Sequence, residues 1–192
     1  GKRLIPFTNS NPKCLAKING DTILEHEMKH LLHYGVKDIV ITTGPFEKKI
    51  RTLVKNRFPE ANVEYVVNEK PDLTNYIYSI WLAKDKVNED IILMHGDMVF
   101  ERELLGKLLH SDHKSCALVN NKIKAPEKDA KCRIADGTIK NIGVDVFGKN
   151  AFFLVPIYKL SKKVFELWIN EIGNFVKRNE LTVYAENAFN NI

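Results

Sequence analysis

The feature that most constrains this chain is an alternation. Through about residue 120, short apolar runs take turns with segments of helical period. Residues 22–34 carry Leu24, Met28, Leu31 and Leu32 at the spacing of one buried helix face. Thr22 and Glu25 form a T-x-x-E capping box ahead of them, and Gly35 supplies the stop. Ile39-Val40-Ile41 reads as a short buried strand, and residues 45–56 as a second amphipathic helix through Phe46, Ile50, Leu53 and Val54. Val63, Tyr65 and Val67 alternate with polar neighbours, as a strand does. Residues 73–84 predict a helix and Ile91-Ile92-Leu93-Met94 a strand. Leu104, Leu105, Leu108 and Leu109 mark a further helix, and residues 115–119 another strand. Strands and helices at this spacing build crossover units, so the expectation is an α/β fold with a mainly parallel sheet. Ligands in such sheets bind beyond the carboxyl ends of the strands.

From Ala130 the texture changes. Residues 131–135 and 138–142 flank Asp136-Gly137 and read as a β-hairpin with a D-G turn. Residues 151–157 predict a strand with Pro156 near its end. Ser161 can cap a long helix carrying Val164, Trp168, Ile172, Phe175 and Val176, and residues 183–189 suit a short final helix. No repeat, low-complexity segment or linker interrupts the 192 residues, and one domain is the expectation.

Composition narrows the class. A hydrophobic content of 44% with 28% charged residues is that of an ordinary soluble globular protein. No apolar run approaches bilayer length and no signal-peptide pattern is visible. The three cysteines, Cys14, Cys116 and Cys132, are odd in number and widely spaced, which suits neither a zinc site nor a disulfide framework. A cytoplasmic location is therefore expected. The net charge of +5 comes with dispersed lysines, so nucleic-acid binding has no support, whereas a small polyanionic ligand accounts for the mild basic excess.

Three stretches carry most of the candidate chemistry. The chain opens Gly1-Lys2-Arg3-Leu4-Ile5-Pro6-Phe7-Thr8-Asn9-Ser10-Asn11-Pro12-Lys13-Cys14-Leu15. Two prolines stiffen it, turn-forming polar residues lie between them, and Arg3 and Lys13 make it cationic. Such a loop suits an anion such as phosphate, and a solvated terminal tail is the plainer alternative. Next, Ile91-Ile92-Leu93-Met94-His95-Gly96-Asp97 sets a carboxylate just past an apolar strand. Asp97 there can hold Mg²⁺, or it can cap the turn. His95 is a ligand candidate that packs or hydrogen-bonds locally in the simpler reading. Finally, residues 68–81 place Thr74, Asn75 and Ser79 where they offer donors and acceptors to a base edge or ribose. Two of Tyr76, Tyr78 and Trp81 suit a helix's buried face, and an aromatic facing a pocket would hold a quaternary ammonium. Lys128 or Lys131 could reach an acceptor phosphate, against a solvated loop, and Glu186 could balance a cationic alcohol or cap a helix.

The opening pattern G-x-R-L-x-P-x-T-x-x-x-P-K-x-L resembles the signature loop of sugar-phosphate nucleotidyltransferases. The T-N-x-x-S pattern of Thr74, Asn75 and Ser79 looks most like CTP:phosphocholine cytidylyltransferases and related CTP-dependent phospho-alcohol enzymes. The resemblance implies a Rossmann-like three-layer α/β/α sandwich, to which the C-terminal β-hairpin and helices read above add an extension. It also implies a first strand and a second metal-binding acid that residues 1–192 do not carry. On that likeness Arg3 and Lys13 are catalytic. Gly1, Arg3, Lys13, Thr74, Asn75, Ser79 and Gly96 bind nucleotide. Tyr78, Trp81, Lys128, Tyr184 and Glu186 bind the acceptor, and Asp97 holds Mg²⁺. The implied partners are CTP and a small phosphorylated or phosphonylated alcohol such as phosphocholine, with no nucleic acid or membrane and with a homodimer allowed. A sugar-1-phosphate enzyme using UTP or dTTP is the nearest alternative, and Thr74-Asn75 speaks against it. A non-catalytic nucleotide-binding domain is the other. A glycosyltransferase is disfavoured, since G-D stands where D-x-D is common.

Overall fold

The computed structural model describes residues 4–192. They group into two compact units, one running to Pro71 and taking in His95–Lys107, the other comprising Asp72–Met94 and Leu108–Ile192.

In the first unit, β1 (Lys17–Ile18) and β2 (Asp21–Thr22) pair antiparallel. The turn between them puts Asn19 and Gly20 at φ of 51° and 95°, conformations these two residue types accept readily. Helix α1 (Ile23–His33) starts on the anticipated capping box. Thr22 Oγ1 accepts from Glu25 N at 3.2 Å, while Glu25 Oε2 accepts from Thr22 N at 2.8 Å. Strands β3 (Asp38–Thr43) and β4 (Asn62–Val67) run parallel, from Asp38 opposite Asn62 to Thr43 opposite Val67. Helix α2 (Glu47–Arg57) is their crossover. Leu24 and Met28 of α1 meet Ile50 and Val54 of α2 and Phe58 in one buried cluster, as their helical spacing requires.

The second unit contains α3 (Tyr76–Ala83), β5 (Ile91–Met94), β6 (Cys116–Asn120), β7 (Lys131–Ala135), β8 (Thr138–Gly143), β9 (Ala151–Leu160), α5 (Lys162–Lys177) and α6 (Ala185–Phe189). Helix α4 (Arg102–Leu109) lies between β5 and β6 in sequence. Here the sheet departs from the mainly parallel expectation. Strand β9 pairs antiparallel with β5, β6 and β7, and β7 pairs antiparallel with β8. Strands β5 and β6 do run in the same direction, as a crossover demands, but β9 is inserted between them. Periodicity reports which residues form a strand; it carries no information about which later strand takes the place between two earlier ones.

Pro156 shows how a proline is accommodated in so central a strand. On the β6 side the register jumps from Ala117 opposite Tyr158 to Leu118 opposite Val155, so Pro156 and Ile157 form a bulge. The missing N–H therefore falls where no ladder bond is required. The D-G turn between β7 and β8 is present, with Asp136 and Gly137 at φ of 51° and 69°, both of the sign a type I′ hairpin needs.

Helix α5 is the unit's main buttress. Ser161 caps it by accepting from Val164 N at 3.4 Å. Its Trp168 is fully buried, donates Nε1–H to Ala185 O at 2.9 Å and meets Phe189 edge-on with ring centroids 5.0 Å apart, which docks α6. Among the described residues no helix is long and apolar enough to cross a membrane.

Trp168→Ala is expected to destabilise the protein by about 3–5 kcal/mol, as for other fully buried large aromatics. Urea unfolding followed by circular dichroism measures this, and a cost too small to move the midpoint would contradict the packing of α6 on α5.

Candidate active site

The opening loop and the residues after β5 meet within the first unit. Residues Phe7–Asn9 and Lys13–Leu15 each form a 3-10 turn. Pro12 is extended, at ψ of 153°, and accepts from Leu15 N at 3.1 Å, closing the second turn. Lys49, on the first half of α2, ties the loop down by donating to Ser10 O at 2.7 Å and Asn11 Oδ1 at 3.0 Å. The turn aims the Lys13 ammonium at Asp97, 84 residues further on, where Nζ donates to Oδ2 at 2.8 Å. Both side chains are about two-fifths exposed, at 40% and 39%. An ion pair so solvated contributes at most about 1 kcal/mol to stability. The arrangement thus leaves an ammonium and a carboxylate together at a water-accessible place, available to a phosphate and a cation.

Beneath this pair lies a buried acid. Glu27 of α1 is only 4% exposed, and its Oε1 accepts from the backbone N of Met98 at 3.0 Å. Burial pushes its carboxyl from the ordinary 4.5 up to about 8; the Met98 N–H opposes the rise and the neighbouring Asp97 adds to it. Burial likewise pushes the Cys14 thiol to about 12, and the charges of Glu27 and Asp97 act in the same direction. Cys14 is therefore a neutral thiol beside Lys13, unsuited to act as a nucleophile. Gly96 is exposed in the turn before Asp97, with open space where a side chain would be. His95 is half-buried. Gly1 and Arg3 lie outside the described residues.

The other expected site residues belong to the second unit. Asn75 is the N-cap of α3: its Oδ1 accepts from Tyr76 N at 2.8 Å and its Nδ2 donates to Thr182 O at 3.3 Å. This is why α3 begins at Tyr76 rather than at the expected residue 73. Thr74 and Ser79 are half-buried on either side. Ile77, Ile80 and Ala83 form the buried face of α3, with Tyr76 and Trp81 packed against that core and Tyr78 half-buried outside it. Trp81 stacks beneath Lys84 at 4.7 Å and lies against Gly173 of α5, where an added Cβ would sit 2.9 Å from the indole. Glu186 is buried, with Oε1 accepting from Tyr158 Oη at 2.7 Å and Oε2 from Tyr76 Oη. Its carboxylate is engaged by these two hydroxyls inside the unit. Tyr184 is exposed just before α6. Lys128 is exposed, whereas Lys131 is the buried cation of this loop. The Lys131 ammonium donates to Glu127 O at 2.9 Å, Asp129 O at 2.8 Å and Val144 O at 2.7 Å, so it holds the chain around it.

Sequence reasoning missed Lys49 and Glu27. Lys49 gave no signal, being one of many dispersed lysines. Glu27 did give one: it stands three residues after Leu24 and four before Leu31, so it interrupts the apolar stripe of α1.

The Glu27 shift has a consequence for stability. Between about 4.5 and about 8 the folded chain retains a proton that the unfolded chain releases. Glu27 thus costs nothing below that window, progressively more as pH rises through it, and a constant amount above it. Glu27→Gln abolishes this titration. Its stability relative to wild type is expected to rise across the window and then level off, measured as urea midpoints at both ends; a flat difference would contradict the buried acid.

Residues 1–127 match the model of the MobA-like NTP transferase domain. The chain is 30% identical over 139 residues to the CMP-5'-(3-aminopropyl)phosphonate synthase of Streptomyces rubellomurinus, covering 72% of this chain and 22% of that protein. It is 25% identical over 159 residues to the CTP:phosphoglutamine cytidylyltransferase of Campylobacter jejuni, covering 74% and 61%. The chain thus spans less than two-thirds of the length of these curated relatives. Among solved structures, the inositol-1-phosphate CTP transferase from T. maritima superposes with a TM-score of 0.72 at 26% identity, over 86% of this chain and 68% of that one. The mixed α/β fold is accordingly the Rossmann-like fold of nucleotidyltransferases, and the chain belongs to the MobA-like NTP transferase family.

Proposed function

We propose that this chain is the nucleotidyl-transferring domain of a cytidylyltransferase that moves CMP from CTP onto a small phosphorylated or phosphonylated alcohol and releases pyrophosphate. The observation that carries the reading is the ion pair of Lys13 and Asp97 at an accessible surface of the first unit. Support for CTP and for this class of acceptor comes from relatives whose names pair CMP or CTP with an aminopropylphosphonate, a phosphoglutamine and an inositol phosphate.

In this reaction an acceptor oxygen attacks the α-phosphorus, a P–O bond forms, and the bond to the pyrophosphate oxygen breaks. Little covalent work falls to the protein, so positioning and charge neutralisation dominate. Lys13 meets the α-phosphate and the incoming oxygen, exchanging its carboxylate partner for phosphate oxygens. Arg3 would hold the outer phosphates. The Asp97 carboxylate suits Mg²⁺: it is a hard oxygen donor, accessible to water, and its present partner is a displaceable cation. Among the described residues no three His, Cys, Asp or Glu side chains converge, so substrate phosphates and water would complete the shell. When bound, Mg²⁺ would supply Lewis-acid neutralisation of the phosphate charge.

The test is pyrophosphate release by the full-length protein with Mg²⁺, CTP and a panel of phosphorylated and phosphonylated alcohols, with UTP and dTTP in parallel arms. CTP is expected to be preferred. Preference for UTP or dTTP with a sugar phosphate would replace this reading, and release with no pair would leave a nucleotide-binding domain. Lys13→Ala and Asp97→Ala should each lower kcat on the order of 10²-fold while leaving the urea midpoint nearly unchanged. Near-normal turnover by both would refute the assignment.

A further inference from the structure

A charged side chain on the apolar stripe of a helix needs a reason. Glutamate is almost never fully buried without a partner, and a leucine at position 27 would simply continue the run of Leu24, Met28 and Leu31. Glu27 is nonetheless 4% exposed, and its Oε1 accepts from the backbone N–H of Met98, 71 residues away. That N–H belongs to the residue directly after Asp97.

The contact is the first of a series. One helical turn further along α1, His30 Nε2–H donates to Phe100 O at 3.1 Å, and the two rings lie 5.2 Å apart. At the end of the same helix, His33 Nδ1 accepts from Arg102 Nη1 at 3.4 Å. Helix positions 27, 30 and 33 thus meet chain positions 98, 100 and 102 in order, one polar contact for every second residue of the segment. The helix face fixes the path of the chain leaving Asp97. Glu27 makes the contact nearest the carboxylate, and of the three helix residues it alone is a buried side chain.

We propose that Glu27 is a positioning residue: by accepting the Met98 amide it sets the Gly96–Asp97–Met98 turn so that Asp97 faces Lys13. This rests on the functional reading above only for its catalytic consequence; the hold on the turn stands on its own. A side chain that accepts one hydrogen bond serves equally well as an amide, so the role belongs to the acceptor oxygen and not to the charge. Glu27→Gln retains that oxygen. Glu27→Leu removes it, and because leucine extends the apolar stripe, the helix still packs.

The experiment compares both variants in the full-length protein by amide hydrogen exchange at Met98 and by steady-state kinetics. Met98 is expected to exchange slowly in wild type and Glu27→Gln and much faster in Glu27→Leu. Alongside, Glu27→Leu should lose kcat on the order of 10-fold or more, as a misplaced catalytic group does, with KM for CTP unchanged, and Glu27→Gln should restore kcat. Fast exchange with full kcat in Glu27→Leu would make Glu27 purely structural and overturn the proposal, as would Met98 exchange that ignores the substitution. If wild type releases no pyrophosphate with any substrate, the functional reading fails alone, and exchange at Met98 still decides whether Glu27 holds the turn.

Discussion

The candidate site depends on one contact between distant parts of the chain, the bond of Lys13 to Asp97 across 84 residues. It is a weak interaction by itself, because water reaches both ends. What gives it a defined geometry is the structure on each side. A proline-led 3-10 turn, tied by Lys49, presents the ammonium. A turn anchored on a buried glutamate presents the carboxylate. A pair arranged in this way contributes little to holding the fold and leaves both charges within reach of solvent.

Three buried charged groups of this chain, Glu27, Lys131 and Glu186, are satisfied by hydrogen bonds that hold separate segments together. Glu27 ties α1 to the residues after β5, Glu186 ties α6 to Tyr76 and Tyr158, and Lys131 gathers three carbonyls around the start of β7. The difference between them is location. Lys131 and Glu186 hold the interior of the second unit, whereas Glu27 lies directly behind a solvent-facing pair of opposite charges.

Much of the fold was legible because its signals are local. The capping box of Thr22 and Glu25, the apolar faces of α1 and α2, the crossover from β3 to β4 and the D-G turn all follow from residues within a few positions of one another. The insertion of β9 between β5 and β6 was not legible, since strand pairing is chosen by the whole sheet. Nor was the capping of α3 by Asn75, because a polar residue before an apolar run can cap a helix or face a ligand and its spacing is the same in both cases. The aromatics after it divided as their flanking positions allow, with Tyr76 and Trp81 against the core and Tyr78 apart from it.

The amino-acid order by itself determined most of the helices and strands, though not the β1–β2 pair, and also the cationic opening loop and the carboxylate following a buried strand, because spacing, turn chemistry and apolar runs act over short distances. The tertiary structure alone decided that Lys13 faces Asp97, that Glu27 is buried behind them, and that Glu186 points into a pair of tyrosines. The physical reason is the same in each case. A charged side chain carries no mark of its partner until the fold removes it from water or brings the opposite charge within hydrogen-bonding distance.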